Sequence, residues 1–365
     1  MSVKLADSIL QLAVALIRTP SRAGRDDPAA VLGVLAEWFA RRSLPGSILT
    51  DTAGKACAYY AEYGDPDAPL YILDACIDTA DTGEMSDWTE NPFSGVIRDG
   101  WLYGRGSGDS KMGVSIFAHL FSSFVRKADT GSAQNGRLGV LFDADEHTGM
   151  FGGIKRLLAG ERAIEGVCIG YPGMDEVVIG ARGFYRAAIV VPGTAAHTGM
   201  PAGEGYRPDN AARRGAELAV ELYDRWDALA AEFPYDSDFP FGPGFTLTEI
   251  HGGSAFSVVP DRCELKVDIR LTHRFDAAAA RKFLDNTVAG YAGTEVHAIE
   301  SWPAYTLPKG HQLVTGLSRA ITDIAGREVP GIYCGPSNIG NLLAAHGIPA
   351  TCGFGVVCEN FHAAD

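Results

Sequence analysis

Side chains that can donate or accept a proton follow several short apolar runs of the chain. Cys76 and Asp78 come just after one such run. Glu146 and His147 come just after another. If these runs are strands of an α/β sheet, their carboxyl ends lie at the edge where such sheets bind ligands. Groups able to perform acid–base chemistry therefore gather where a site is expected.

Further candidates lie in a glycine-rich loop and near the end of the sequence. The sequence GRGSGDSK at 104–111 contains Asp109 and leads into a helical pattern. Tyr171 follows a third apolar run, and His362 follows the late run at 350–357. The loop lacks the ending of a phosphate-binding P-loop, so nucleotide binding is not expected.

The elements that would position these residues alternate between strand and helix. Strands are predicted at 70–73, 138–142 and 166–170, and helices at 112–124 and 154–158. Such alternation predicts an α/β layer with a largely buried sheet.

Two helices are predicted before the first of these strands. The first is expected to begin near Asp7 or Ser8 and to end before Pro20, because proline disfavours a helical residue before it. The second is expected to have Asp27 as its N-cap and Pro28 at its first position.

The pattern changes after Arg182. Apolar residues occupy 263, 265, 267, 269 and 271, and charged residues occupy the even positions between them. This alternation predicts a strand in a sheet with one covered and one wet face. The predicted fold class is therefore α/β, with helices on both faces of a mixed sheet in residues 1–181 and 301–365. A smaller α+β domain is inserted at 182–300.

At this point the sequence resembles the M20 metallopeptidase family, whose members hydrolyse amide bonds in peptides, acylated amino acids and related small molecules. The resemblance implies that the inserted domain is a lid or dimerisation domain. The resemblance covers essentially the full length of the sequence. Its motifs occur in the family's order at 74–78, Trp88 with 91–93, 102–111, 145–149, 182–183, 196–197, 259–260, 268–270 and 362–365.

The resemblance also implies a metal centre, with departures from the usual two-ion set. Cys76, His147 and Tyr171 stand where the family usually has a histidine, a glutamate and a carboxylate. The predicted ligands are Asp109, His147 and His362, since two imidazoles and one carboxylate leave positions open for water and substrate. We expect one divalent ion per chain, Mn²⁺ or Zn²⁺.

Other roles follow from the same resemblance. Glu146 corresponds to the catalytic glutamate, Asp78 to the aspartate that orients a ligand, and His197 to the histidine that stabilises the oxyanion, often from the partner of a dimer. The predicted substrate-binding residues are Arg270, Tyr171 and Cys76. Two alternatives stay open. Cys76 is equally a buried hydrophobic residue or a metal ligand. Arg270 equally binds the substrate or pairs with Asp268 or Glu264 on its own strand.

Composition limits the partners. The formal net charge of -14 disfavours nucleic acid and anionic membranes. The short apolar stretch near the start does not span a bilayer and lacks the flanks of a secretory signal. Seven cysteines without a close-spaced framework favour a reduced, cytoplasmic setting. A homodimer or higher homo-oligomer is expected from the family resemblance.

The predicted function is metal-dependent hydrolysis of a C–N bond in a small carboxylated substrate. The altered ligands favour a non-peptide substrate such as an aromatic amine, with deamination of 5-nitroanthranilate as the example from the family. One alternative is a conventional deacylase of N-acyl amino acids or a dipeptidase. Others are a catalytically silent relative that binds a small ligand and an iron-dependent oxygenase.

Overall fold

The computed structural model describes residues 3–130, 136–160, 162–173, 176–199, 208–233, 239–353, 355–360 and 363–364. The α-helices in these residues are α1 Val3–Ile17, α2 Pro28–Ala40, α3 Met112–Asp129, α4 Gly152–Leu158, α5 Ala211–Ala230, α6 Ala277–Val288, α7 Gln312–Ala325 and α8 Ile339–Ala345. The strands are β1 Ser47–Thr50, β2 Ala56–Gly64, β3 Leu70–Cys76, β4 Ile97–Arg98, β5 Trp101–Leu102, β6 Arg137–Asp143, β7 Ile164–Ile169, β8 Val177–Ala181, β9 Gly183–Pro192, β10 Ala196–His197, β11 Gly244–Gly252, β12 Val258–Val259, β13 Arg262–Leu271, β14 Glu295–Trp302, β15 Tyr305–Thr306, β16 Gly331–Cys334 and β17 Ala350–Gly353.

The chain forms two compact units. The first contains Met1–Ile179, Leu307–Ile332 and Gly347–Asp365, and the second contains Gly180–Thr306 and Tyr333–His346. The second unit therefore includes a late segment that the predicted boundaries 182–300 leave out. The division into a catalytic and a lid domain stays a prediction.

The first unit is built on a mixed sheet, with strand order β1-β2-β6-β3-β7-β17-β8. The strands β6, β3, β7 and β17 pair in parallel, whereas β2 and β8 run antiparallel to their neighbours. This architecture confirms the predicted α/β class with a mixed sheet. Parallel pairing brings the carboxyl ends of β3 and β6 to the same edge.

One face of this sheet is covered by α1, α2 and α3. Val140 and Phe142 of β6 join their apolar residues in one buried cluster. Helix α2 begins as predicted, because the Asp27 side chain accepts a hydrogen bond from the Ala29 N–H and Pro28 is the first helical residue. The predicted start of α1 was wrong, since the helix already begins at Val3.

The opposite face carries α4. A side chain at Gly153 would lie 2.6 Å from Ala58 Cβ and 2.7 Å from Asp143 Oδ2, so the helix can approach the sheet this closely only because the residue is glycine. Helices therefore cover both faces of the sheet, as predicted. The residues that follow β6 lie beside this close contact.

The second unit has a four-stranded antiparallel sheet, with strand order β11-β13-β9-β14. The predicted alternation of β13 is confirmed, because its odd-numbered residues from 263 to 271 are buried in the unit's core. Helices α5 and α6 contribute to that same core. The even-numbered residues of β13 form a polar face.

In the described residues, no helix is long and apolar enough to cross a membrane.

Candidate metal centre

The first part of the site lies at the carboxyl end of β3. Cys76 pairs in register with Asp143 of β6, and the Ile77 N–H donates to the Asp143 carbonyl at 2.7 Å. Cys76 and Asp78 are each only 2% exposed. Because alternate residues of an extended chain share a face, the backbone directs these two side chains to the same side.

The second part is the loop that carries Asp109, between β5 and α3. Its Gly106 has φ of 84°, a conformation that favours glycine. The Asp109 carboxylate accepts a hydrogen bond from Ser110 Oγ at 2.8 Å. Lys111 is 1% exposed, and its ammonium donates to the carbonyls of Leu16 at 2.8 Å and Thr19 at 3.0 Å. The lysine thereby ties the loop to the end of α1.

The third part follows β6, where His147 lies between two aspartates. Its Nδ1 is 3.5 Å from Asp78 Oδ1, and its Nε2 is 3.4 Å from Asp109 Oδ2. The His147 backbone N–H also donates to Asp78 Oδ2 at 2.8 Å. Burial opposes protonation of the ring, but the two aspartates outweigh it and raise the His147 pKa to about 10. The ring thus lies between two carboxylates that favour its protonated form.

Glu146 completes the cluster. Its side chain is half-buried, but its Oε2 atom is buried without a hydrogen-bond partner. Burial is the main cause that raises the Glu146 pKa to about 8, and the negative charges of Asp109 and Asp78 add to it while His147 opposes it. A carboxyl group with this pKa can take up or release a proton near neutral pH.

The donor atoms lie close enough together to bind a metal ion. Those of Cys76, Asp78 and His147 lie within 4.8 Å of one another, and so do those of Cys76, Asp109 and Glu146. Several carboxylates in one buried place repel one another, and the buried Glu146 Oε2 has no donor to neutralise it. The residues therefore fit a divalent cation, which supplies the missing positive charge.

The structure brings together two of the three predicted ligands, Asp109 and His147. The third, His362, lies outside the described residues. The predicted substrate-binding residue Cys76 lies inside the donor cluster, with its Sγ 3.7 Å from Asp109 Oδ1. Tyr171 follows β7, the parallel neighbour of β3, and is half-buried.

The remaining predicted residues belong to the second unit. His197 lies in β10 and is exposed, and its Nδ1 accepts a hydrogen bond from the Gly199 N–H at 3.0 Å. Arg270 donates to Ser337 Oγ at 3.2 Å through Nη1, and its Nε is 2.9 Å from Asp268 Oδ1. The pairing of Arg270 with Asp268, one of the two partners considered from the sequence, is thus present.

Sequence reasoning assigned no role to three buried polar residues near the cluster. Asp74 and Asp143 are 0% exposed, and Lys111 supports the Asp109 loop. Asp143 accepts hydrogen bonds from the backbone N–H groups of Asp145 and Ile154, and burial raises its pKa to about 7. Of the three, only Asp143 has a signal in the sequence, since it is a charged residue at the end of an apolar strand.

The fold and the donor cluster together define a metallohydrolase. Comparison of the sequence with protein families agrees, because peptidase family M20/M25/M40 matches residues 72–365. The chain belongs to this family, which confirms the predicted M20-type metallohydrolase.

Curated relatives match almost the whole chain. A succinyl-diaminopimelate desuccinylase from Hahella chejuensis is 26% identical over 357 residues, covering 93% of this chain and 86% of the relative. One from Parvibaculum lavamentivorans is 28% identical over 365 residues, covering 93% and 85%.

Solved structures share the fold. A di-peptidase from Saccharomyces cerevisiae has a TM-score of 0.72 at 13% identity, covering 99% of this chain and 91% of that one. An M20 family metallo-carboxypeptidase from Sulfolobus solfataricus has a TM-score of 0.71 at 18% identity, covering 100% and 94%.

Proposed function

We propose that this hydrolase uses one divalent ion to cleave a C–N bond in a small carboxylated substrate. The observation that carries the proposal is the position of Glu146, a half-buried carboxyl group with one buried oxygen, close to the donor atoms of Cys76 and Asp109. A general base beside a metal ligand set is the arrangement that hydrolysis requires.

Asp109 and His147 would hold the ion, with His362 as the third predicted ligand. When bound, the ion supplies the Lewis acidity that makes water a nucleophile near neutral pH. Asp78 is then a positioning residue, because its carboxylate contacts both the ring and the backbone N–H of His147. Such a carboxylate behind a ligating histidine fixes the ring and its tautomer.

Glu146 acts as the proton carrier. In its charged form it takes a proton from the attacking water at a carboxylate oxygen. It then returns that proton to the departing nitrogen, so the group is neutral between the two steps. The raised pKa of Glu146 suits both transfers, since a base near neutrality also serves as an acid. His197 is proposed to stabilise the negative oxygen, in a homodimer from the partner subunit.

The substrate is proposed to be an aromatic amine with a carboxylate, such as 5-nitroanthranilate. The altered donor set supports this choice, because Cys76, His147 and Tyr171 replace residues of the usual two-ion centre. Arg270 is proposed to bind the substrate carboxylate through its planar fork. Tyr171 is proposed to contact the ring.

A second candidate is conventional amide hydrolysis. It is favoured by the similarity to proteins named succinyl-diaminopimelate desuccinylase. The two candidates differ in their products, since deamination releases ammonia and amide hydrolysis releases a free amino acid and an acid.

The experiment measures both products with the metal-loaded protein. Ammonia release is followed from 5-nitroanthranilate, and amino acid release from N-succinyl and N-acetyl amino acids. Ammonia without amino acid supports the aromatic proposal, and the reverse result supports the amide alternative. Full activity after exhaustive dialysis against a chelator would contradict metal-dependent hydrolysis by either route.

A Glu146→Gln variant separates an enzyme from a silent binding protein. We expect it to retain its metal ion and to lose turnover by about 10²–10⁴-fold, because general acid–base catalysis is removed. Glu165→Gln is the control, since Glu165 is an exposed residue of β7. Equal turnover in both variants would reject the role of Glu146.

A further inference from the structure

We propose that Ser337 is a positioning residue, which fixes the orientation of the Arg270 guanidinium group for a substrate carboxylate. This inference rests on the role given to Arg270 in the function proposed above. Ser337 lies directly before Asn338, the N-cap of α8, and belongs to the second unit together with Arg270. It acts on the arginine and not on the reacting atoms.

The Ser337 hydroxyl group makes two hydrogen bonds of opposite direction. It donates its proton to the Arg182 carbonyl at 2.7 Å, and it accepts a hydrogen bond from Arg270 Nη1 at 3.2 Å. A hydroxyl group has one proton, so the first bond leaves only its lone pairs for the arginine. Ser337 is therefore an acceptor for Arg270 whose direction is set by Arg182.

Arg182 also holds the segment that carries Ser337. Its backbone N–H donates to the Cys334 carbonyl at 3.3 Å, and its Nε donates to the Gly335 carbonyl at 3.0 Å. The Arg182 carbonyl accepts a second hydrogen bond, from Asn341 Nδ2 at 3.0 Å. These contacts fix the Ser337 hydroxyl group without help from a substrate, as a group that positions another must be fixed.

The guanidinium group of Arg270 is held at two different nitrogens. Its Nε lies 2.9 Å from Asp268 Oδ1, and its Nη1 donates to Ser337 Oγ. Contacts at two nitrogens of a planar group set its plane as well as its position. This matters because a guanidinium group recognises a carboxylate through parallel N–H groups in that plane. The Arg270 side chain is 30% exposed, so part of it can reach a ligand.

Ser337 and Asp268 differ in what they do to the charge of Arg270. Asp268 is an anion and competes with a substrate carboxylate for the guanidinium group. Ser337 is neutral, so it orients the group without reducing its attraction for an anion. Loss of the Ser337 hydroxyl group should therefore weaken the binding of a carboxylate, whereas loss of the Asp268 charge should strengthen it.

The test measures ligand binding by the metal-loaded full-length protein with isothermal titration calorimetry. The probes are 2-aminobenzoate and N-acetylalanine, each compared with its carboxamide, so that both candidate substrate classes give a readout. Ser337→Ala should raise the dissociation constant of the carboxylate about tenfold, the lower end of what a hydrogen bond to a charged group contributes. The dissociation constant of the carboxamide should change by less than about twofold.

Three further variants separate positioning from a general loss of structure. Ser337→Thr keeps the hydroxyl group and should restore carboxylate binding to within about twofold of the unmodified protein. Ser254→Ala is the matched control, because Ser254 is an exposed serine of the same unit. Ser337→Cys, with a weak acceptor of similar shape, repeats the measurements if the alanine variant does not fold.

A double-mutant cycle tests whether Ser337 acts through Arg270. Arg270→Ala should weaken carboxylate binding, and Ser337→Ala should have no further effect in that variant, because the group that it positions is gone. Equal effects of Ser337→Ala with and without the Arg270 side chain would overturn this inference alone. An unmodified protein that binds neither carboxylate more tightly than its carboxamide would overturn the proposed role of Arg270 as well.

Discussion

The two units differ in the charged partners that surround their buried and half-buried carboxylates. In the second unit, Asp268 lies between two arginines, with Arg186 Nε at 2.9 Å from one oxygen and Arg270 Nε at 2.9 Å from the other. In the first unit, Asp78 and Asp109 share the single ring of His147. Around Asp268, positively charged groups outnumber the carboxylate. Around His147, carboxylates outnumber the one group that can carry a positive charge.

The difference separates a carboxylate with two cationic partners from a cluster in which two carboxylates share one imidazole. Two guanidinium groups around one carboxylate leave a net positive charge that suits the carboxylate of a substrate. Several carboxyl groups around one imidazole leave a deficit of positive charge, which a divalent ion would supply. Four substitutions test this contrast, starting with the largest expected effect.

Asp109→Ala should remove the ion and reduce turnover at least about a thousandfold. The Lewis acidity of a metal contributes several kcal/mol to the transition state, and each 1.4 kcal/mol is a factor of ten. Metal content by elemental analysis and kcat are measured on the same sample. Retention of one tightly bound ion per chain would remove Asp109 from the ligand set.

Asp143→Asn should flatten the pH dependence of stability in the metal-free protein. Burial raises the Asp143 pKa from 3.8 to about 7, so the folded state binds a proton that the unfolded state has released. The stability from this group is complete below the unfolded pKa and is lost as the pH rises through the folded pKa. Over that window the free energy of unfolding falls by up to about 1.4 kcal/mol per pH unit.

Denaturant titrations between pH 4 and 8 compare the slopes of the two proteins. The variant also weakens one of the hydrogen bonds from Asp145 or Ile154, so it is less stable overall. The slope, not the absolute stability, is therefore the readout. Identical slopes would show that Asp143 is charged throughout this pH range.

Asp268→Asn should lower KM for a carboxylated substrate by up to about tenfold and leave kcat within a factor of two. The change removes a negative charge beside Arg270, so its guanidinium group is free to pair with the substrate carboxylate, and hydrogen bonds to charged groups contribute about 1.5–3 kcal/mol. Initial rates over a range of substrate concentrations separate the two constants. A fall in kcat with unchanged KM would argue against a role in binding.

Glu264→Gln should change the free energy of unfolding by less than about 0.5 kcal/mol. Glu264 pairs with Arg262 on the polar face of β13, where the two side chains are 32% and 60% exposed. Exposed pairs of this kind contribute little because water screens them. Urea titration gives the value, and a loss above 2 kcal/mol would show that the face is covered in solution.

Local patterns predicted part of this architecture, and residues far apart in the sequence decided the rest. The strict alternation at 263–271 and the Asp27–Pro28 start of α2 carry their own signals. Helix α1 already begins at Val3, so Asp7, a residue type that often caps helices, lies inside the helix and was a misleading choice. Strand β2 also lacks a clear signal, since Ala, Tyr and Glu are mixed along it.

Prediction of the site from the sequence was limited in the same way. The family resemblance identified Asp109 and His147, and the strand ends indicated where they would meet. No spacing rule could show that Asp78 contacts the ring of His147, because 69 residues separate the interacting groups along the chain. The role of Cys76 stayed open for the same reason, since its neighbours are set by the pairing of β3 with β6 and by the Asp109 loop.

The ammonium of Lys111 has a consequence for the part of the chain before the first strand. It clamps two carbonyls at the end of α1 to the loop that bears Asp109. The N-terminal helix is thereby coupled to the Asp109 loop without placing a side chain of its own in the donor cluster. A substitution that shifts the end of α1 is therefore expected to displace Asp109, although the two lie about ninety residues apart in the sequence.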